Sequence, residues 1–195
     1  MRTGIAAAAG DIKILSIGLI QSLFEGAMYS FVFIWTPALQ RGTSGSHGDL
    51  PFGWIFASFM VSVMIGSVIF GYLTKFTSVE ALARPVYLIG AIALLVPAIS
   101  TDSTTCFLSF LVFEAVCGIH WPLTGTLKGK YIPEESRSAV MNLMRLPLNL
   151  IVVVVLLKVA SMEIATVFGI CFLLVLTCFA FTFTIVVPTS PAHPV

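Results

Sequence analysis

The sequence predicts an all-α membrane protein built from six transmembrane helices. Three observations carry that prediction. First, 58% of the 195 residues are hydrophobic and only 10% are charged, with a mean hydropathy of +1.04. A soluble domain carries about 25% charged residues, so this chain has too little polar surface to cover a water-exposed globule. Second, the apolar residues form continuous runs that approach the ~20 residues a spanning helix needs. They do not form the short alternating segments of a transmembrane barrel. Third, Glu25 within ILSIGLIQSLFEGAMYSFVFIW and Arg145 within SAVMNLMRLPLNLIVVVVLL are lone charges in the middle of such runs. A charge at mid-bilayer depth costs about 2.5–3.5 kcal/mol on insertion scales, so it persists where it is paired or faces a polar cavity.

The elements follow in order. Residues 1–13 read as a cytoplasmic segment. MRTGIAAAAG is a poor cleaved leader, because Lys13 interrupts the path into the first apolar run. The first span, 14–39, places Gln21, Glu25 and Tyr29 four residues apart and hence on one helix face. The connector QRGTSGSHGDLP is rich in Gly and Ser, and its His47 is assigned no role. The second span, 52–74, carries Ser58, Ser62 and Gly66 at a spacing of four, small residues that let two backbones approach. FTSVEALARP leads into the third and shortest span, 86–101.

The fourth span, 104–127, holds Glu114, Gly118 and Trp121 on one face, with His120, Thr124 and Lys128 extending the polar character towards the cytoplasm. Gly118 is a second candidate for close helix packing. In LKGKYIPEESRS, Lys128 and Lys130 read as markers of the membrane boundary, and Glu134 and Glu135 as acids at a helix start. The fifth span, 138–158, has a polar stripe of Asn142, Arg145 and Asn149 with Pro147 inside it. Lys158 ends that span and reaches for the interface. The sixth span is 164–187, and 188–195 is a cytoplasmic tail. Pro37, Pro97, Pro122 and Pro147 each remove a backbone hydrogen bond and permit a kink. Trp35, Trp54 and Trp121 fall where interfacial anchors often sit.

Orientation rests on Lys and Arg in the short loops. Arg2, Lys13, Lys75, Arg84, Lys128, Lys130 and Arg137 fall on one side, and Arg41 and Lys158 on the other. Both termini are therefore expected in the cytoplasm, in agreement with an even number of spans.

The composition excludes several classes. A net charge of +1 gives no case for nucleic acid. Cys106, Cys117, Cys171 and Cys178 lie in or beside apolar runs without CxxC spacing, and read as small core residues rather than disulfides or metal ligands. There is no HExxH, no GxSxG and no Walker motif. No cofactor, metal or enzymatic activity is expected.

The polar residues inside the spans suggest a water-accessible cavity at the bundle centre. Arg145 would attract an anion through its planar donor fork, and Asn142 and Asn149 would add neutral donors. Glu25 or Glu114 would take up a proton or balance Arg145 when the site is empty, with Gln21 beside Glu25. The competing reading of the same residues is a structural ion pair, Glu25–Arg145 or Glu114–Arg145, that fixes helix register.

Three segments carry a family resemblance. IQSLFEGAMYSFVFIWTPAL resembles the seventh helix of the molybdate-anion transporter family of the major facilitator superfamily. FGWIFASFMVSVMIGSVIFGYL resembles its eighth, and FEAVCGIHWPLTGTLKGKYIPEESRSAVMNLMRLPLN its tenth helix, the following loop and the start of the eleventh. The most specific stretch is IPEESRSAVMNLMRLPLN, and the match covers most of residues 11–187. The resemblance implies that the chain is one half, the C-terminal half, of a major facilitator bundle. It implies secondary active transport of molybdate or a related oxyanion across the plasma membrane.

In that fold two six-helix halves enclose the substrate. The expectation is thus a fragment that acts with a missing N-terminal half or with a second copy, in a lipid bilayer. The resemblance does not say which residues bind the anion. Two other readings stand beside it: a non-transporting interaction or regulatory subunit, and a carrier of a sugar or other small solute.

Overall fold

A computed structural model of the protein describes residues 11–42, 50–159 and 161–185. Six helices follow in chain order: α1 (Ile12–Arg41), α2 (Phe52–Leu73), α3 (Val79–Ile99), α4 (Ser103–Tyr131), α5 (Glu134–Val159) and α6 (Ile164–Phe181). No strand occurs among the described residues. Five of the six, α1 to α4 and α6, are long and apolar enough to cross a membrane. The chain is a multi-pass, all-helical membrane protein.

The helix starts are set by short polar side chains that accept from otherwise orphaned N–H groups. Asp11 accepts from the Lys13 N–H at 2.8 Å, and Ser78 accepts from the Ala81 N–H at 3.3 Å. Asp102 accepts from the Thr105 N–H at 2.7 Å and from its hydroxyl at 2.6 Å. These two bonds hold the Asp102 carboxyl below its ordinary range. The caps also explain where helices outrun the apolar runs. α3 starts at Val79, well before residue 86, because Ser78 caps it and Pro85 is accommodated inside. α4 continues to Tyr131 and α5 begins at Glu134, with Glu134 and Glu135 in its first turn.

α4 packs against α1, α2 and α3; α6 packs against α1 and α3; α5 packs on α1. Phe24, Phe31, Phe59, Phe110, Phe113, Phe168 and Tyr87 fill the common core. Phe31 meets Phe110 edge to face at 5.0 Å between centroids, an arrangement that aromatic quadrupoles favour. All four cysteines are free and buried. Cys178 Sγ lies 3.4 Å from the Ile20 carbonyl, joining α6 to α1.

The α2–α4 crossing is the tightest described. A Cβ on Gly66 would stand 2.0 Å from the Ala115 carbonyl oxygen, and one on Gly118 would stand 2.0 Å from that of Val63. The two glycines let the backbones meet, as small residues do in membrane helix pairs. Ser58, on the expected stripe, instead keeps its hydroxyl on its own helix, 2.9 Å from the Trp54 carbonyl. The outer face of α2 carries Trp54, Met64, Val68 and Tyr72, all exposed. In lipid such exposure is no penalty, since the tails are as apolar as the side chains.

The two ends of the bundle are tied differently. At one end Lys130 donates to Glu80 Oε1 at 2.5 Å and the Tyr131 hydroxyl donates to the same oxygen at 2.8 Å. The ammonium groups of Lys13 and Lys130 lie 5.6 and 5.5 Å from the centre of the Tyr131 ring. Arg84 stacks over Phe183 at 4.9 Å. At the other end Arg41 donates to the Pro97 carbonyl and, at 2.8 Å, to that of Ser100. The Ser103 hydroxyl donates to the Leu39 carbonyl at 2.6 Å.

Candidate functional site

A chain of hydrogen bonds crosses from α4 to α1. Lys128 Nζ donates to Gln21 Oε1 at 3.2 Å, and Gln21 Nε2 donates to Glu25 Oε1 at 2.7 Å. The second bond follows from helix geometry, because residues four apart share a face. The first depends on the packing of α4 against α1. Glu25 is buried, while Gln21 and Lys128 are half-buried, so the chain runs from a partly open mouth to an enclosed carboxyl group.

The direction of Lys128 is informative. Lysines near helix ends in membranes usually extend towards water. Here the ammonium is drawn to Gln21, more than two turns inside α1. This differs from the boundary role that position alone suggests for Lys128. Hydrogen bonds to charged groups contribute about 1.5–3 kcal/mol each, enough to offset part of the cost of keeping these groups from water.

A second polar contact lies behind the first. His120 on α4 is fully buried, with Nδ1 3.0 Å from the Tyr87 hydroxyl on α3. Its ring stacks on Phe24 of α1 at 4.0 Å between centroids and 17° between planes. His120 Nε2 has no hydrogen-bond partner among the described residues. Since Phe24 precedes Glu25, this clasp holds the segment of α1 that carries the carboxylate.

The other expected residues fall as follows. Glu114 is buried on α4 and makes no hydrogen bond or ion pair among the described residues. Asn142 on α5 is exposed. The side chains of Arg145 and Asn149 lie outside the described residues. Gln21 and Glu25 are thus brought together, and Lys128 joins them. Tyr87, unremarkable inside an apolar run, was not singled out by its sequence context. Its signal was the polar partner His120, which only the α3–α4 packing places beside it. Among the described residues no group of His, Cys, Asp or Glu could hold a metal ion.

The arrangement presents an ammonium donor at the Lys128 end and a carboxylate acceptor at the Glu25 end.

Comparison with known proteins supplies the context. Residues 1–114 match the profile of a major facilitator family described as sugar transporters with 12 transmembrane segments. A molybdate-anion transporter of Takifugu rubripes is 34% identical over 160 residues, which is 76% of this chain and 31% of that protein. One from Xenopus tropicalis is 30% identical over 214 residues, covering 98% of this chain and 46% of that protein. The chain therefore spans about a third to a half of the length of these curated relatives. Among solved structures, the POT family transporter PepTSo superposes with a TM-score of 0.74 at 17% identity, over 89% of this chain and 37% of that one. The similarity to PepTSo concerns the fold.

Proposed function

The chain belongs to the molybdate-anion transporter family of the major facilitator superfamily, and from that premise we propose that it supplies one six-helix half of a secondary transporter for molybdate. The observation that carries the proposal is the Lys128–Gln21–Glu25 chain between α1 and α4. A tetrahedral dianion needs fixed positive charge and donors, and Lys128 offers both beside a carboxyl group that can balance it when the site is empty. Arg145 on α5, a helix packed on α1, is proposed as a second anion-binding group. Asn142, Asn149 and Glu114 are proposed as supporting polar groups of the same cavity. The chain would work in the plasma membrane with both termini in the cytoplasm, completed by an N-terminal six-helix half or by a second copy. Alternating access would then come from rocking of the two halves about the site.

A second reading has an observation in its favour. The matching family profile is described as sugar transporters, which suits an uncharged solute. The half-buried Lys128 weighs against it, since a sugar gives an ammonium group no counter-charge.

The test is molybdate uptake, read by elemental mass spectrometry, in cells expressing the 195-residue chain alone and together with an N-terminal half. Uptake in either arm is the expected result. Lys128→Met and Arg145→Ala are each expected to lower it tenfold or more with surface expression unchanged. Uptake of a sugar but not of molybdate would favour the second reading. Absence of any uptake by an inserted, folded chain, together with co-purification of a complete transporter, would identify a regulatory subunit.

A further inference from the structure

We propose that Arg84 and Phe183 form a headgroup site for an anionic phospholipid at the seam between α3 and α6. The inference goes beyond the transport reading and does not depend on it.

Arg84 is a cation to which the described residues offer no anion. Its guanidinium carbon lies 4.9 Å from the centre of the Phe183 ring. A ring face attracts a cation but accepts little from its N–H groups. Arg84 Nε is shut off from solvent and has no hydrogen-bond partner among the described residues. The acid placed to serve it is Glu80, four residues earlier on α3 and hence on the same face. That carboxylate is already engaged. It accepts from Lys130 and Tyr131 and is 2% exposed. Residues 1–10 and 186–195 contain no Asp or Glu, so the termini bring no acidic side chain to Arg84 either.

The position of the pair suits a lipid. Arg84 stands two residues before the apolar run that starts at residue 86, the depth at which hydrocarbon gives way to headgroups. It is half-buried, at the edge of the outer face of α3. Tyr87 and Ala91, to one side of it, are buried; Leu88 and Ile92, one and two turns on, are exposed. Phe183, two residues past α6, is exposed, and Phe179, one turn earlier, meets it edge to face at 5.1 Å. α3 and α6 are packed together. A phosphate set against Arg84 therefore has apolar side chains of both helices beside it for its acyl chains. Basic pockets between helices at a membrane surface take lipid headgroups in this way, and the planar fork of Arg matches two phosphate oxygens at once. Charge selects the lipid class. A choline headgroup would bring its own cation beside Arg84, with Glu80 already taken, whereas a net anionic headgroup balances the site.

The test is thermal unfolding of the 195-residue chain in detergent micelles, followed by tryptophan fluorescence. Phosphatidylglycerol, phosphatidylcholine or inorganic phosphate is added at equal phosphate concentration. Phosphatidylglycerol at ten times its dissociation constant is expected to raise the wild-type melting temperature by roughly 3–6 °C. Arg84→Met is expected to cut that rise to less than about 1 °C. Lys75→Met, which removes an exposed cation just before α3, is expected to keep the full rise. An equal rise in Arg84→Met and wild type would overturn the site. An equal rise with phosphatidylcholine would overturn the anionic selection, and one with inorganic phosphate would overturn the lipid in favour of a free anion. Should Arg84→Met not fold, phosphatidylglycerol with a photoreactive acyl chain decides on the wild type. Adducts are expected on Leu88, Ile92 and Phe179 and are expected to vanish on competition with unlabelled phosphatidylglycerol. Adducts spread evenly over the exposed faces of α2 and α3 would overturn the proposal.

Discussion

α4 presents two faces built on opposite principles. Towards α2 it offers Gly118 and the Ala115 carbonyl, and the two backbones touch with no side chain between them. Towards α1 and α3 it offers Lys128 and His120, and contact is made through long side chains and hydrogen bonds. The first face fixes a position, because backbone atoms cannot be displaced without moving a whole helix. The second fixes a pattern of donors and acceptors, which can be rearranged while the helices stay in place.

The comparison breaks most sharply at the glycines. Gly118→Ala is expected to destabilise the bundle by about 3 kcal/mol and to lower its apparent melting temperature in detergent by roughly 10 °C. Gly66→Ala should behave alike. Gly125 on the same helix has nothing within 4 Å of its would-be Cβ, so Gly125→Ala is expected to be neutral or stabilising by up to about 1 kcal/mol. Equal losses at positions 118 and 125 would remove the distinction between the two faces.

Smaller losses are expected where side chains can rearrange. Lys130→Met removes the ammonium partner of the Glu80 carboxylate, which is 2% exposed and keeps the Tyr131 hydroxyl as a donor. Because Lys130 is itself 56% exposed, the cost is expected at about 1–2 kcal/mol, below that of a fully buried pair. Adding Glu80→Gln should recover part of it, as thermal denaturation of the double variant would reveal. Tyr87→Phe removes one hydrogen bond and strands His120 Nδ1, for about 1 kcal/mol.

The smallest effect is at the start of α4. Hydrogen bonds from Thr105 lower the folded-state pKa of Asp102. Its stabilising contribution is therefore complete above the unfolded carboxylate value and is lost as pH falls through the folded one. Asp102→Asn should flatten that acid-side slope in a melting-temperature profile.

The all-helical membrane fold was legible because continuous apolar runs leave a chain no other way to satisfy its backbone in lipid. The helix ends were less so. Apolar runs report the hydrocarbon layer, whereas the ends of α3 and α4 are set by Ser78, Asp102 and polar turns beyond it. Within the site, Gln21 and Glu25 could be paired from spacing alone. Lys128 could not, since its partner belongs to another helix and its neighbours in sequence look like a loop. Gly66 and Gly118 were each legible as small residues, but their reciprocal contact depends on the angle at which α2 and α4 cross. Arg145 is a proposal about α5 drawn from its sequence context, since its side chain lies outside the described residues.

The glycine crossing also sets a schedule for biogenesis. α2 leaves the ribosome and enters the bilayer with its partner face unfilled, because Ala115 and Gly118 belong to a helix not yet made. At 5–20 residues per second, the roughly 50 intervening residues hold α2 unpartnered for on the order of several seconds. During that interval its face is covered by lipid or by the insertion machinery, and the bundle closes only when α4 arrives.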